Sequence, residues 1–147
     1  MHPYTITAIG WLGVFLWVGL VILTNRKTHP KALFYLFFVE MWERFSYYGM
    51  RGLLVLYMTA EMVKGGLAYP ESKAYGAYAA YGALVYLTPI LGGLVAEHLT
   101  GYRKAILWGA FLMTMGHTAM AINNEFVFFA ALGLLIMGNG FFKPNIS

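Results

Sequence analysis

Four stretches of this chain run without a formal charge for nearly the thickness of a lipid bilayer: residues 5–24, 74–96, 105–124 and 126–142. A helix needs about 20 mostly apolar residues to cross a hydrocarbon layer of roughly 30 Å. A fifth stretch, residues 32–60, is long enough but carries Glu40, Glu43, Arg44 and Arg51. A lone segment in lipid must satisfy its own backbone polar groups, and only a helix does so. The fold class that follows is an all-α integral membrane bundle. Composition agrees, since only 11% of the residues are charged against about 25% in soluble chains.

Several functions are excluded at the same step. With no cysteine in the chain, disulfides, thiolate catalysis and thiolate-held metals fall away. The net charge of +4 sits in short loops and not on one soluble face, which argues against a nucleic-acid partner. No HExxH, paired-carboxylate or phosphate-loop pattern occurs, so neither an enzyme nor a bound metal is indicated.

The basic residues read as topology signals. Lysine and arginine concentrate in cytoplasmic loops. Arg26, Lys27 and Lys31 lie between the first two segments, and Arg103 and Lys104 between the third and fourth. Under strict alternation those two loops share a side. The opposite loops hold Glu61, Lys64, Glu71 and Lys73, which cancel, and the turn Asn123, Asn124, Glu125. This places the N-terminus outside. His29-Pro30 and Tyr69-Pro70 break the chain before the second and third segments, as the restriction on the residue before proline requires. The first segment lacks a positive leader, with only His2 before it, and Thr24-Asn25-Arg26 offers no small-residue cleavage site. It reads as an uncleaved extra helix and not as a signal peptide. Two parts follow: residues 1–31, an extra transmembrane helix with a basic cytoplasmic loop, and residues 32–147, four further helices.

Charges inside a span need a reason. Residues on a helix turn by about 100° each, which puts Glu40, Glu43, Arg44, Tyr47, Tyr48 and Arg51 on one stripe. Phe38, Trp42, Phe45, Gly49 and Leu53 take the other face. Each charge in mid-membrane costs about 2.5–3.5 kcal/mol on insertion scales, so four unpaired ones would cost on the order of 10 kcal/mol. They must face one another or water. Glu40 and Arg44 stand at i and i+4 in the favoured order. A purely structural ionic cluster is the rival reading. Buried ion pairs rarely stabilise more than apolar replacements, so a carboxylate that exchanges a proton beside a compensating arginine accounts better for the pattern.

The remaining segments add candidates. Gly138-Asn139-Gly140 followed by Lys143-Pro144 suggests a loosened last helix, of the kind that accompanies binding sites in transporters. Lys143 would lie about 27 Å along that helix, deep enough for a site and near enough the far surface to snorkel. Tyr75, Tyr78 and Tyr86 share a face; the first two lie near the outer end and read as interfacial anchors, whereas Tyr86 is deeper and suits a pocket. Gly76, Ala80 and Ala83 would let helices approach. His117 reads as a satisfied core histidine.

Three motifs then carry a resemblance. Glu40-Met-Trp-Glu43-Arg44-Phe-Ser-Tyr47-Tyr48-Gly49-Met-Arg51 resembles the ExxER motif of the proton-dependent oligopeptide transporter family of the major facilitator superfamily. Gly92-Gly93-Leu-Val-Ala-Glu97-His98-Leu-Thr-Gly101-Tyr-Arg103-Lys104 is similar to the superfamily's loop between its second and third helices, with Glu97-His98 where Asp-Arg is usual. Gly138-Asn-Gly140-Phe-Phe-Lys143-Pro144-Asn145-Ile-Ser147 resembles the family's fourth-helix motif.

The resemblance implies roles position by position. Glu40, Glu43 and Arg44 would couple protons, the coupling ion, with no other cofactor. Arg51 and Lys143 would meet the peptide carboxylate, and Tyr47, Tyr48 and Tyr86 its backbone. Gly93, Glu97, Gly101, Arg103 and Lys104 would form the cytoplasmic loop motif. It implies a di- or tripeptide symporter in the plasma (cytoplasmic) membrane, of which this chain would be an N-terminal fragment: an extra helix, then the first four of twelve core helices. Its partners would be the peptide, the lipid bilayer and the missing C-terminal half. A nitrate or other small-anion carrier of the same family, or a truncated non-transporting membrane protein, are the alternatives.

Overall fold

Prolines and glycines punctuate the chain where the sequence places them. In the computed structural model, which describes residues 3–25 and 27–146, five helices follow one another: α1 (Pro3–Asn25), α2 (Lys31–Thr59), α3 (Glu71–Val95), α4 (Tyr102–Ala119) and α5 (Glu125–Ile146). His2, Arg26 and Ser147 lie outside the described residues. No strand occurs among those that are described. Pro30 stands immediately before α2, and Pro70 caps α3 with extended backbone. At both places the proline ends the incoming segment and leaves the next helix to start with φ already set.

Three helices are long and apolar enough to cross a membrane on those grounds alone: α1 over Tyr4–Asn25, α3 with its extension over Glu71–Thr100, and α5 over Glu125–Ile146. The sequence suggested five. The two that fall short do so for identifiable reasons. Glu40, Glu43, Arg44 and Arg51 interrupt α2, and Arg103, Lys104 and His117 lower the hydropathy of α4.

The chain divides into two compact units, Met1–Ser46 and Tyr47–Ser147. In the first unit, α1 exposes apolar side chains all round, including Trp11, Leu12, Phe15, Leu16 and Trp17. A helix apolar on every face has hydrocarbon as its natural surroundings.

In the second unit the main core cluster is built from one stripe each of α2, α3 and α5. Tyr47, Leu54 and Met58 of α2 meet Ala74, Tyr81 and Val85 of α3 and Phe128 and Leu132 of α5. Spacings of four and seven residues carry these positions down one side of each of the three helices. Lipid is as apolar as these side chains, so contact area and close fit hold them together more than any hydrophobic gain. The fit is closest where glycines meet. A Cβ added to Gly92 of α3 would stand 2.0 Å from the Gly140 carbonyl oxygen of α5, and one added to Gly109 of α4 would stand 2.8 Å from that of Gly138. Backbone touches backbone at both crossings. These glycines, and not Gly76, Ala80 and Ala83, make the approach: the latter three are exposed on α3, and Gly76 has nothing near its missing Cβ.

Two loops complete the unit. After α2 a 3₁₀ turn, Met62–Lys64, ends on Gly65 at φ +83°. The chain then folds back: the amides of Leu67, Ala68 and Tyr69 donate to the carbonyls of Tyr57, Ala60 and Met58 at 3.2, 2.8 and 2.8 Å. At the other end α3 widens into a π-helical turn, Ala96–Thr100, before Gly101 at φ +76° starts α4.

Candidate functional site

The polar stripe of α2 is real but not uniform. Helical phase puts Glu43 and Tyr47 on one flank and Glu40, Arg44 and Tyr48 on the other. The structure buries the first flank, leaving Glu43 and Tyr47 each 7% exposed. It exposes the second. Glu40 and Arg44 form the expected pair, with Arg44 Nη2 donating to Glu40 Oε1 at 3.0 Å, while both side chains stay about half exposed. Tyr48 is 59% exposed and meets Tyr47 edge to face.

Within Tyr47–Ser147, three helices bring five side chains together. Arg51 follows Tyr47 by one turn of α2. Its Nε donates to the Tyr78 hydroxyl of α3 at 2.8 Å, its Nη2 donates to the same oxygen, and its Nη1 donates to the Tyr47 hydroxyl at 3.4 Å. The guanidinium carbon lies 5.1 Å from the Tyr78 ring centroid and 5.5 Å from that of Tyr47. From α5, Lys143 Nζ lies 5.6 Å from the centroid of the same Tyr47 ring and 5.9 Å from that of Tyr86 on α3. Two cations therefore lie within 6 Å of the centre of one ring, that of Tyr47.

This geometry favours an anion. Phenols satisfy a guanidinium without neutralising it, and among the described residues Arg51 has no carboxylate partner. A guanidinium offers five N–H donors in a planar fork, of which these bonds use three. Ring faces attract cations through their quadrupole. Tyr47 thus attracts both Arg51 and Lys143.

Of the residues singled out from sequence, Arg51, Lys143, Tyr47 and Tyr86 come together here. Tyr48 packs edge to face on Tyr47, and Glu40, Glu43 and Arg44 belong to the unit Met1–Ser46. Gly93, Glu97, Gly101, Arg103 and Lys104 sit at the far end of α3 and the start of α4, with the two basic side chains exposed. Tyr78 reads from sequence as an interfacial anchor, yet it is the principal partner of Arg51; its place on one face with Tyr86, one helix away from the arginine-bearing stripe of α2, is the available signal. His117 is exposed on α4 and not in the core. Gly138-Asn139-Gly140 does not loosen α5, which runs unbroken through it to Ile146. Those glycines serve close packing instead, and Asn139 between them is 4% exposed, one turn before Lys143.

No family model matches the chain. It is 42% identical over 120 residues to the uncharacterized transporter YclF of Bacillus subtilis (strain 168). It is 47% identical over 124 residues to the di-/tripeptide transporter of Lactococcus lactis subsp. cremoris. Among solved structures, peptide transporter POT in complex with sulfate superposes with a TM-score of 0.77 at 47% identity over 80% of this chain. The chain belongs to the POT peptide-transporter family. A mutant of that POT has been solved with alafosfalin, at the same TM-score and identity. A structure described as concerning substrate recognition in proton-dependent oligopeptide transporters follows with a TM-score of 0.72 at 35% identity, over 78% of this chain. The chain spans about a quarter of these relatives: 24% of the two curated proteins and of POT, and 25% of the last. As a POT-family segment with apolar spanning helices, it is part of an integral, multi-pass membrane protein.

Proposed function

We infer that this chain takes part in proton-coupled uptake of di- and tripeptides across the plasma membrane. The observation that carries the reading is the pair of cations around Tyr47, with Arg51 at 5.5 Å and Lys143 at 5.6 Å from its ring centroid. A peptide C-terminal carboxylate is a planar two-oxygen anion suited to a guanidinium fork. Arg51 and Lys143 would receive it, and the hydroxyls of Tyr47, Tyr48 and Tyr86 would meet the peptide backbone. The relatives named as peptide transporters support this assignment of the anion.

Glu40, Glu43 and Arg44 would couple the proton. Glu43 is the stronger candidate for the proton itself because it is the buried carboxylate of the two, 7% exposed. Glu40, paired with Arg44 at 3.0 Å, would hold that arginine in place. The basic loops, Lys27 with Lys31 and Arg103 with Lys104, would lie on the cytoplasmic side.

Uptake of a labelled dipeptide under an inward proton gradient tests the reading in the complete protein that carries this sequence. Lys143→Ala is expected to abolish uptake. Glu43→Gln is expected to abolish gradient-driven uptake while leaving exchange of peptide for peptide. Wild-type uptake in both variants would defeat the assigned roles. A pair of cations also suits a smaller anion, so competition by unlabelled dipeptide against nitrate decides between the two substrates.

A further inference from the structure

The first turn of α4 ends in a groove that the peptide site does not use. Lys104, Leu107, Trp108 and Phe111 line it along one face of the helix, with a volume of about 390 Å³. These positions, spaced by three, four and seven residues, form a continuous stripe. Leu107, Trp108 and Phe111 are 61%, 58% and 55% exposed. The stripe has a cation at one end and only hydrocarbon and indole along the rest. Arg103, one residue earlier, is exposed on the same turn.

The charge of this end is not cancelled. Neither Arg103 nor Lys104 has an ion pair or hydrogen bond among the described residues. The neighbouring titratable groups are Glu97 and His98 on the preceding π-helical turn, where His98 Nδ1 lies 3.0 Å from the Leu94 carbonyl oxygen. Two fixed positive charges against one negative leave the end of the helix basic.

We propose that the α4 face formed by Lys104, Leu107, Trp108 and Phe111 binds one anionic phospholipid of the surrounding leaflet. Its phosphate sits on Lys104 and Arg103, and an acyl chain runs along the three apolar side chains. The occupant follows from the order of groups. Phe111 lies about 10 Å along the helix from Lys104, which is the direction and scale on which a phospholipid passes from headgroup to chain. Trp108 stands between the two levels, the position that indoles favour in bilayers. A zwitterionic lipid would fill the groove equally well but would leave the two cations without a net counter-charge, whereas a basic side chain near an anionic leaflet is attracted appreciably.

The test reads Trp108 directly. The complete protein that carries this sequence, with every tryptophan except Trp108 changed to Phe, is reconstituted into vesicles, and quenching of its remaining indole is compared for brominated phosphatidylglycerol and brominated phosphatidylcholine at equal mole fraction. The expected result is preferential quenching by phosphatidylglycerol, corresponding to several-fold tighter association. Arg103→Gln with Lys104→Gln should bring that preference to parity, Arg103→Lys with Lys104→Arg should keep it, and high salt should reduce it. Circular dichroism of each variant verifies that the helices are intact. Equal quenching by the two lipids, no quenching by either, or a preference that survives loss of both charges would overturn the proposal.

Discussion

Two apolar helices of nearly equal length behave differently in this molecule. The spans of α1 and α5 each cover 22 residues, with hydropathies of 2.3 and 1.7, yet none of the most apolar window of α1 is buried and 44% of that of α5 is. Apolarity accounts for membrane solubility in both. Packing has another cause, the placement of small residues opposite one another. Gly138 and Gly140 of α5 meet Gly109 and Gly92 at backbone distance, while Gly10, Gly13 and Gly19 of α1 have nothing within 4 Å of a missing Cβ. The contrast lies in what a side chain would meet.

Substitutions can break or sharpen that contrast. The largest effect is expected for Gly92→Val, which drives a side chain into the Gly140 carbonyl; since overpacking costs about 1–3 kcal/mol where neighbours can give, and here the neighbour is backbone, the loss should reach or exceed the upper figure. Thermal unfolding of the detergent-solubilised chain would measure it. Thr88→Val comes next. It removes the hydroxyl that donates to the Leu84 and Ile136 carbonyls at 2.9 and 3.1 Å, and interhelical bonds in membranes contribute about 0.6 kcal/mol on average. A drop in the unfolding midpoint without loss of helix content is the expected outcome. Tyr57→Phe breaks a bond to Asn123 Oδ1 at 3.1 Å in an exposed loop, and should cost about 0.5 kcal/mol, at the low end for a hydrogen bond. Gly10→Val in α1 should fall within about 0.5 kcal/mol of wild type, as for surface changes away from packing features. If Gly10→Val and Gly92→Val proved equally costly, close approach would not be what separates the two helices.

The anion-receptive cluster belongs to the same contrast, because it forms where helices are pinned together. Arg51, Tyr78, Tyr86 and Lys143 come from α2, α3 and α5, and a small rotation of any one would separate them. Tyr78→Phe leaves the ring against Arg51 and removes the shared acceptor oxygen. It is expected to weaken dipeptide binding while preserving the fold, measured as a raised half-saturation concentration for uptake with helix content unchanged.

Much was legible along the chain. The charge-free runs located the spans, Pro30 and Pro70 located two helix starts, and the i, i+4 spacing of Glu40 and Arg44 gave their ion pair, because each depends only on residues close in sequence. Helical phase also gathered the α2 polar groups on one stripe. It could not say which flank of that stripe is buried, since a 100° turn per residue fixes directions on one helix and says nothing of what stands opposite. For the same reason Tyr78 was indistinguishable from an interfacial tyrosine, His117 from a core histidine, and Gly138-Asn139-Gly140 from a weak point in the helix.

The sequence by itself determined the solvent of this protein, the breaks between its helices and the residues able to carry charge within them. Only the tertiary structure decided which glycines bring backbones into contact and which tyrosine holds Arg51. The physical reason is that hydropathy and helix breaking are local properties, whereas a phenol reaches a guanidinium only when the rotation and depth of two separate helices agree.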